Sequence, residues 1–325
     1  RDPVQPDTPA FLPPFPAGAP RNRLGLARWL TAPDHPLLAR VTVNRVWQGL
    51  FGLGLVKTPE DLGSQSPRPE HRAALDWLAR DFARDWDMKR LLATIMTSRS
   101  YRQRSGAAEQ VEADDPANVW LARGPRHRLP GEMIRDGILA AAGLLVERVG
   151  GPSVNPYDLP ESFKPAAAGS GEALYRRSLY TFWRRTGPAP VLESFDVPKR
   201  VVCVARRDVT NTPLHALVLL NGPQFVEAAR VLAERLLASG AAPDDALVTA
   251  FERLTCRPPD EAERAILRDL LAGQREWYAA HPDEAAKLVA VGSMKPAEGV
   301  PAVEVAAVAA AVNALMNHDG CVVKR

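Results

Sequence analysis

Arg206-Arg207-Asp208-Val209-Thr210-Asn211-Thr212-Pro213 leads into a largely apolar run ending at Leu220, and then into Asn221-Gly222-Pro223-Gln224. Thr212 is of the type that caps a helix, and Pro213 suits the first helical position, where a backbone N–H is unpaired in any case. The stretch therefore predicts a helix from Leu214 onward. Its free N–H groups would face two guanidiniums, a carboxylate and three short hydrogen-bonding side chains. Such an end can hold an anion or a carbohydrate oxygen. It can equally be a well-capped helix whose arginines pair with acidic neighbours, and both readings stay open.

Downstream of that point, apolar residues recur at helical spacing over Gln224–Leu237, Asp244–Leu254, Asp260–Tyr278, Pro282–Val291 and Val303–Asn317. The second and third of these are expected to open on aspartate caps. Upstream the character changes between Asn155 and Arg207. Two runs there, Ser178–Trp183 and Val201–Val204, are rich in β-branched or aromatic residues and predict a small β element. Strand alternation would place Tyr180 and Phe182 on one face and Leu179, Thr181 and Trp183 on the other.

Further upstream, Asn22 caps a helix through Trp29 and Leu30. A second helix from Pro36 carries Val41, Val43, Val46, Trp47, Leu50 and Phe51, and Gly49, Gly52 and Gly54 read as its cap and turn. Helices bearing Leu75, Leu78 and Phe82, then Met88, Leu91, Leu92, Ile95 and Met96, predict an antiparallel pair. Another carries Met133, Ile134, Ile138, Ala141 and Leu145 and ends at Gly150-Gly151-Pro152. Residues 1–21, with seven prolines and no periodic pattern, read as a linker or surface arm that buries little. The expected fold is mainly α, a multi-helix domain over 22–325 with a small β element near 178–207. A subdivision, if present, falls near 150–175.

The 325 residues carry a formal charge of +3, too little to imply a nucleic-acid partner, although arginine far outnumbers lysine and favours planar recognition of carboxylate, sulfate or phosphate. Cys203, Cys256 and Cys321 are too few and too scattered for a disulfide framework or haem attachment. No apolar run reaches the length of a membrane span, and no signal peptide opens the chain, which begins at Arg1 as a piece of something longer would.

Blocks of residues in consistent order carry a resemblance. They are Asn44, Arg45, Val46, Trp47, Phe51, Gly52, Gly54, Leu55, Val56, Thr58, Pro59 and Asp61; His71, Leu75, Asp76, Trp77 and Leu78; Ser98, Tyr101 and Arg102; Arg128, Leu129, Glu132, Arg135 and Asp136; Gly150 to Val154; Arg177, Ser178, Tyr180, Arg185, Asp196 and Pro198; and Arg207 with Thr210 to Leu214, Ala216, Leu217, Leu220 and Asn221. By these the chain resembles the planctomycete PSD-one domain, a domain of unknown function found C-terminal to cytochrome-c-like and other domains. The resemblance implies an exported, extracytoplasmic multidomain parent, upstream domains of the same polypeptide as partners, and organisms rich in sulfatases and polysaccharide-degrading genes. It implies no activity. Leu92 stands where the family often has a histidine, which removes one candidate catalytic group. Asn317-His318-Asp319-Gly320-Cys321 replaces a more usual Asn-Leu-Asp-Glu-Phe.

No metal or other cofactor is expected, because the six histidines show no paired spacing and the haem-attachment pattern is missing; Gly169-Ser170-Gly171 lacks the elbow that a serine nucleophile needs. Paired carboxylates that could hydrolyse glycosides are Glu60 with Asp61, Glu132 with Asp136, and Asp196 with Asp208. Glu132 and Asp136, one turn apart beside Arg128 and Arg135, read more simply as an ion-pair network. The candidate ligand site is Arg207, Asp208, Thr210, Asn211 and Thr212 with Arg185 and Asp196, and anionic polysaccharide is the ligand class to test. The expected role is a binding or docking domain. A glycan-degrading enzyme and a structural domain packed on an upstream haem domain are the alternatives.

Overall fold

Asn22 opens the first helix as its chemistry predicts: its Oδ1 accepts from the N–H groups of Leu24 (3.0 Å) and Gly25 (3.2 Å) at the head of α1 (Arg23–Leu30). The structure is a computed structural model and describes residues 7–106, 108–159, 165–184, 187 and 189–324. The chain folds as two units, one running through His127 and the other spanning Arg128–Lys324. That division falls ahead of the 150–175 region.

In the first unit, α2 (Leu38–Phe51) buries Val43, Asn44, Trp47 and Phe51 against α3 (Arg72–Phe82) and α4 (Met88–Met96), the latter capped by Asp87. The short α5 (Glu109–Asp114) follows. Gly52 ends α2 at φ +83°, donating its N–H to the Gln48 carbonyl at 2.8 Å. The adjoining loop is pinned by one side chain. Buried Asn44 donates from Nδ2 to the Val56 carbonyl (3.1 Å) and accepts the Val56 N–H at Oδ1 (2.8 Å). Gly54 must lack a side chain, since a Cβ there would lie 2.6 Å from the Val56 carbonyl oxygen. The Pro-rich arm buries more than its composition suggests: the Trp29 indole N–H donates to the Pro13 carbonyl at 2.8 Å, and Phe15 and Pro20 sit against Gly25.

The second unit comprises α6 (Gly131–Ala141), α7 (Pro190–Ser194), α8 (Pro213–Asn221), α9 (Pro223–Ala238), α10 (Pro243–Thr255), α11 (Glu261–Ala280), α12 (Pro282–Val289), α13 (Ala302–Leu315) and α14 (Asp319–Val322). Apolar on all sides, α13 is the centre, enclosed by α9, α10, α11 and α12. Asp260 and Glu263 form a reciprocal capping box at the head of α11. Asp244 caps nothing. Helix α10 begins one residue earlier at Pro243, which fits the first turn, and Asp244 lies within that turn. Helix α6 stops at Ala141, well short of Gly150. Gly143 (φ +68°) turns the chain there, and Leu144 and Leu145 both return their N–H groups to Leu139.

The mainly helical class holds, but the β element does not lie where residue types placed it. Described β structure amounts to two paired two-residue strands, His127–Arg128 and Val323–Lys324, with isolated bridges elsewhere. Ser178–Tyr180 is a 3₁₀ turn, and Val201–Val204 is exposed irregular chain. Buried arginines fasten the chain on the N-terminal side of Ser178 instead. Arg176, fully buried, donates to the carbonyls of Arg148, Gly150 and Pro152, and its guanidinium stacks 3.8 Å from the Tyr180 ring centre. Arg135, likewise buried, holds the carbonyls of Leu174 and Arg176. Among the described residues Ser178–Trp183 itself makes only one isolated bridge, in which Val154 donates to the Tyr180 carbonyl (2.8 Å) and accepts the Phe182 N–H (2.7 Å), so no extended ladder forms. No helix is long and apolar enough to cross a membrane among the described residues.

Candidate functional site

Helix α8 begins at Pro213 with Thr212 as its flanking residue, as the sequence predicts, but the Thr212 hydroxyl makes no capping bond. Three other elements converge on this helix start. The chain entering α6 supplies Arg128 and Glu132. The end of α7 supplies Asp196, held in the left-handed region (φ +61°), while the next residue, Val197, returns its N–H to Leu192. The turn between α13 and α14 supplies Asn317 and Asp319.

The polar residues before Pro213 are engaged pairwise. Arg207 donates from Nη1 to both carboxylate oxygens of Glu132, at 3.0 and 2.8 Å. Asp196 accepts from the backbone N–H and the hydroxyl of Thr210, at 2.8 and 2.7 Å, and Asn211 Oδ1 accepts from Arg128 at 3.0 Å. Arg207, Thr210, Asn211, Thr212 and Asp196 therefore do come together. Of these only Thr210, Asn211 and Thr212 line the adjoining groove; Arg207, Asp196 and the exposed Asp208 do not, and Arg185 lies outside the described residues. Asp136 lies apart, accepting from the N–H and hydroxyl of Ser178. Glu132 and Asp136 are thus structural acceptors, although Glu132 pairs with Arg207 rather than with its helical neighbours.

Between these pairs and α14 lies a groove of about 360 Å³, lined among others by Arg128, Thr210, Asn211, Thr212, His215 and Asn317. Its electrostatics are balanced. Burial pulls the Arg128 guanidinium below its usual range, opposed by the carboxylates of Asp196 and Asp319. His215 is buried, stacked 5.1 Å from Phe195, and held below the usual imidazole range by burial and by Arg128, against Asp196 and a hydrogen bond to the Ser194 backbone. Its Nδ1 has no hydrogen-bond partner, and neither does Nδ2 of Asn317. A neutral imidazole sharing its proton with the Ser194 carbonyl leaves Nδ1 as an acceptor, while the amide offers a donor. One atom is thus an acceptor and the other a donor, the two roles that a hydroxyl group can meet.

Asn317 and Asp319 reach the groove from about a hundred positions away along the chain, so the sequence carries no local signal for them, whereas His215 lies one turn into α8, three residues after Thr212, with no paired-histidine spacing to mark it. Among the described residues no group of three histidine, cysteine or carboxylate side chains could hold a metal ion.

Fold and groove together define a mainly helical protein with a shallow, charge-balanced site at a helix start. No curated protein and no solved structure matched the chain. A family model matched residues 22–271, and the chain belongs to that family: PSD1, protein of unknown function (DUF1553).

Proposed function

We propose that this chain is a carbohydrate-binding domain of an exported, multidomain planctomycete-type protein, and that its groove beneath Pro213 reads sugar hydroxyls. The supporting observation is the pair of buried, unpartnered atoms, His215 Nδ1 and Asn317 Nδ2, beside the exposed side chains of Thr210, Asn211 and Thr212. An unmet polar atom in a buried position costs about 1–3 kcal/mol, and a bound hydroxyl recovers much of it. The balanced charge argues for hydroxyls rather than sulfate as the groups read here. Glycoside hydrolysis is the weaker reading, because Glu132, Asp136 and Asp196 already serve as acceptors for Arg207, Ser178 and Thr210. Upstream domains of the same polypeptide, cytochrome-c-like ones included, and an extracytoplasmic location belong to the same proposal.

A glycan array covering neutral, sulfated and uronic oligosaccharides, followed by calorimetry, tests it. Asn211→Ala should weaken the best ligand about five- to thirtyfold, equivalent to roughly 1–2 kcal/mol, with little change in thermal midpoint. Arg207→Ala removes a half-exposed ion pair and should cost under about 1 kcal/mol of stability. If no glycan binds and both variants merely melt earlier, the segment only fastens its loop to α6.

A further inference from the structure

A second cavity, larger than the groove, lies wholly within the first unit and has a different electrostatic character. Its volume is about 530 Å³, inside the range of about 300–1,000 Å³ common to small-molecule sites. One wall is aromatic: Trp47 and Phe51 stack with centroids 4.1 Å apart and planes 5° from parallel. The loop Gly52–Leu55, fixed by Asn44, forms the floor beside it.

The facing wall is a segment held by its own polar side chains. The buried Asp115 carboxylate accepts the N–H groups of Val119 and Trp120, each at 2.8 Å, and Asn118 brackets the backbone of Arg123 through its amide. Histidine 71 bonds the Val119 carbonyl at 2.8 Å. Arg123 is only 7% exposed. Its Nη2 donates to the carbonyls of Asp115 (2.9 Å) and Pro116 (2.8 Å), but its Nη1 is buried without a partner, and the side chain makes no ion pair among the described residues.

Against the effect of burial, the Asp115 carboxylate is drawn below its ordinary range by its backbone hydrogen bonds and by the charges of Arg123 and Lys57, and it offsets part of the guanidinium charge. It makes no direct ion pair with Arg123 and leaves Nη1 without an acceptor, an arrangement that is costly for a buried guanidinium. Lys57, Arg68 and Arg126 also line the cavity, against Glu70 and Glu112. Glu112 is committed to Arg126, at 3.9 Å. Lys57 and Arg68 are exposed. The cavity thus combines an excess of positive charge among its lining residues, a bordering guanidinium with one buried donor that has no acceptor, and an apolar aromatic wall.

From this we infer that the first-unit cavity is a second ligand site, independent of the groove, for a small organic oxyanion: a single ring bearing a carboxylate, sulfate or phosphate. The anionic group pairs with Arg123, and the ring lies against Trp47 and Phe51. Lys57 and Arg68 strengthen the field at the mouth and make binding weaken with salt.

The test is calorimetry on the full chain with glucuronate, glucose 6-sulfate and glucose 6-phosphate, with glucose and inorganic sulfate as controls. At least one of the three ring oxyanions should bind more tightly than about 1 mM, with affinity falling as sodium chloride rises. Arg123→Gln should abolish that binding. Since Arg123 also holds two carbonyls, the exposed double variant Lys57→Gln/Arg68→Gln serves as the fold-neutral check, with affinity reduced about tenfold and the thermal midpoint unchanged. Absence of binding by all three probes, equal binding of glucose, equal binding of inorganic sulfate, or wild-type affinity in a folded double variant would each overturn the inference.

Discussion

Asn44→Ala is the perturbation whose cost the structure specifies most closely. The wild-type amide is 1% exposed and meets both the N–H and the carbonyl of Val56, itself buried. Truncation leaves both backbone groups unpaired in an enclosed place, at about 1–3 kcal/mol each. Partial relaxation toward the neighbouring cavity brings the expected total to about 2–5 kcal/mol. The loss is local to the Gly52–Lys57 loop. Hydrogen exchange resolved by residue is therefore the suitable assay, and in a chain of two units it avoids the assumption of a single unfolding transition. Amides 52–57 should exchange at least tenfold faster, while the second unit is unaffected. Gly54→Ala should act on the same loop, because its Cβ would meet the Val56 carbonyl at 2.6 Å and the Asn44 amide at 2.8 and 2.9 Å. The two substitutions should then combine with less than additive cost. A stability loss below about 1 kcal/mol with unchanged exchange at 52–57 would refute the claim that Asn44 holds this loop.

Two further expectations concern the head of α11 and the N-terminal arm. The Glu263 carboxyl is pushed down to about 2, chiefly by its hydrogen bonds to Arg257 at 2.5 and 2.7 Å and against the opposing effect of burial. Its folded value lies below its ordinary value of 4.5, so its stabilisation is complete above pH 4.5 and drains away as pH falls toward 2. Thermal melts between pH 5 and 3 should show that decline, and Glu263→Gln should flatten it. Deleting everything before Arg21 should cost about 1–3 kcal/mol and red-shift tryptophan fluorescence, because Pro13 and Phe15 cover the Trp29 region. A midpoint unmoved by the deletion would restore the reading of the arm as a passive linker.

Helices were legible wherever apolar periodicity and punctuation agreed. Asn22, Asp260 with Glu263, Pro213 and Pro282 each mark a helix start that the structure contains. What periodicity could not supply was the use of polar side chains as long-range fasteners. Ser178–Trp183 has the composition of a strand, yet it forms a 3₁₀ turn and a single bridge to Val154, while its neighbour Arg176 gathers three carbonyls of the Arg148–Pro152 loop. The candidate site was legible in part. The segment before Pro213 does assemble a polar centre, and reading its arginines as partners of acidic neighbours fits Arg207 with Glu132. The identity of that acid, and the presence of Asn317, depend on contacts between residues about 75–100 positions apart, for which local spacing carries no signal, while His215 sits within the segment itself.

Arg135 has a consequence for where the instructions for folding reside. Its guanidinium donates to Gln224 on α9, to the hydroxyl of Ser178, and to the carbonyls of Leu174 and Arg176. One planar side chain on α6 thus prescribes the path of a segment some forty residues away, and a single ammonium could not reach the same partners in the same plane. The alanine- and glycine-rich stretch leading to Leu174 needs little specificity of its own. Much of the information for its course is written in another helix, so a reading of that stretch by itself finds only an undistinguished loop.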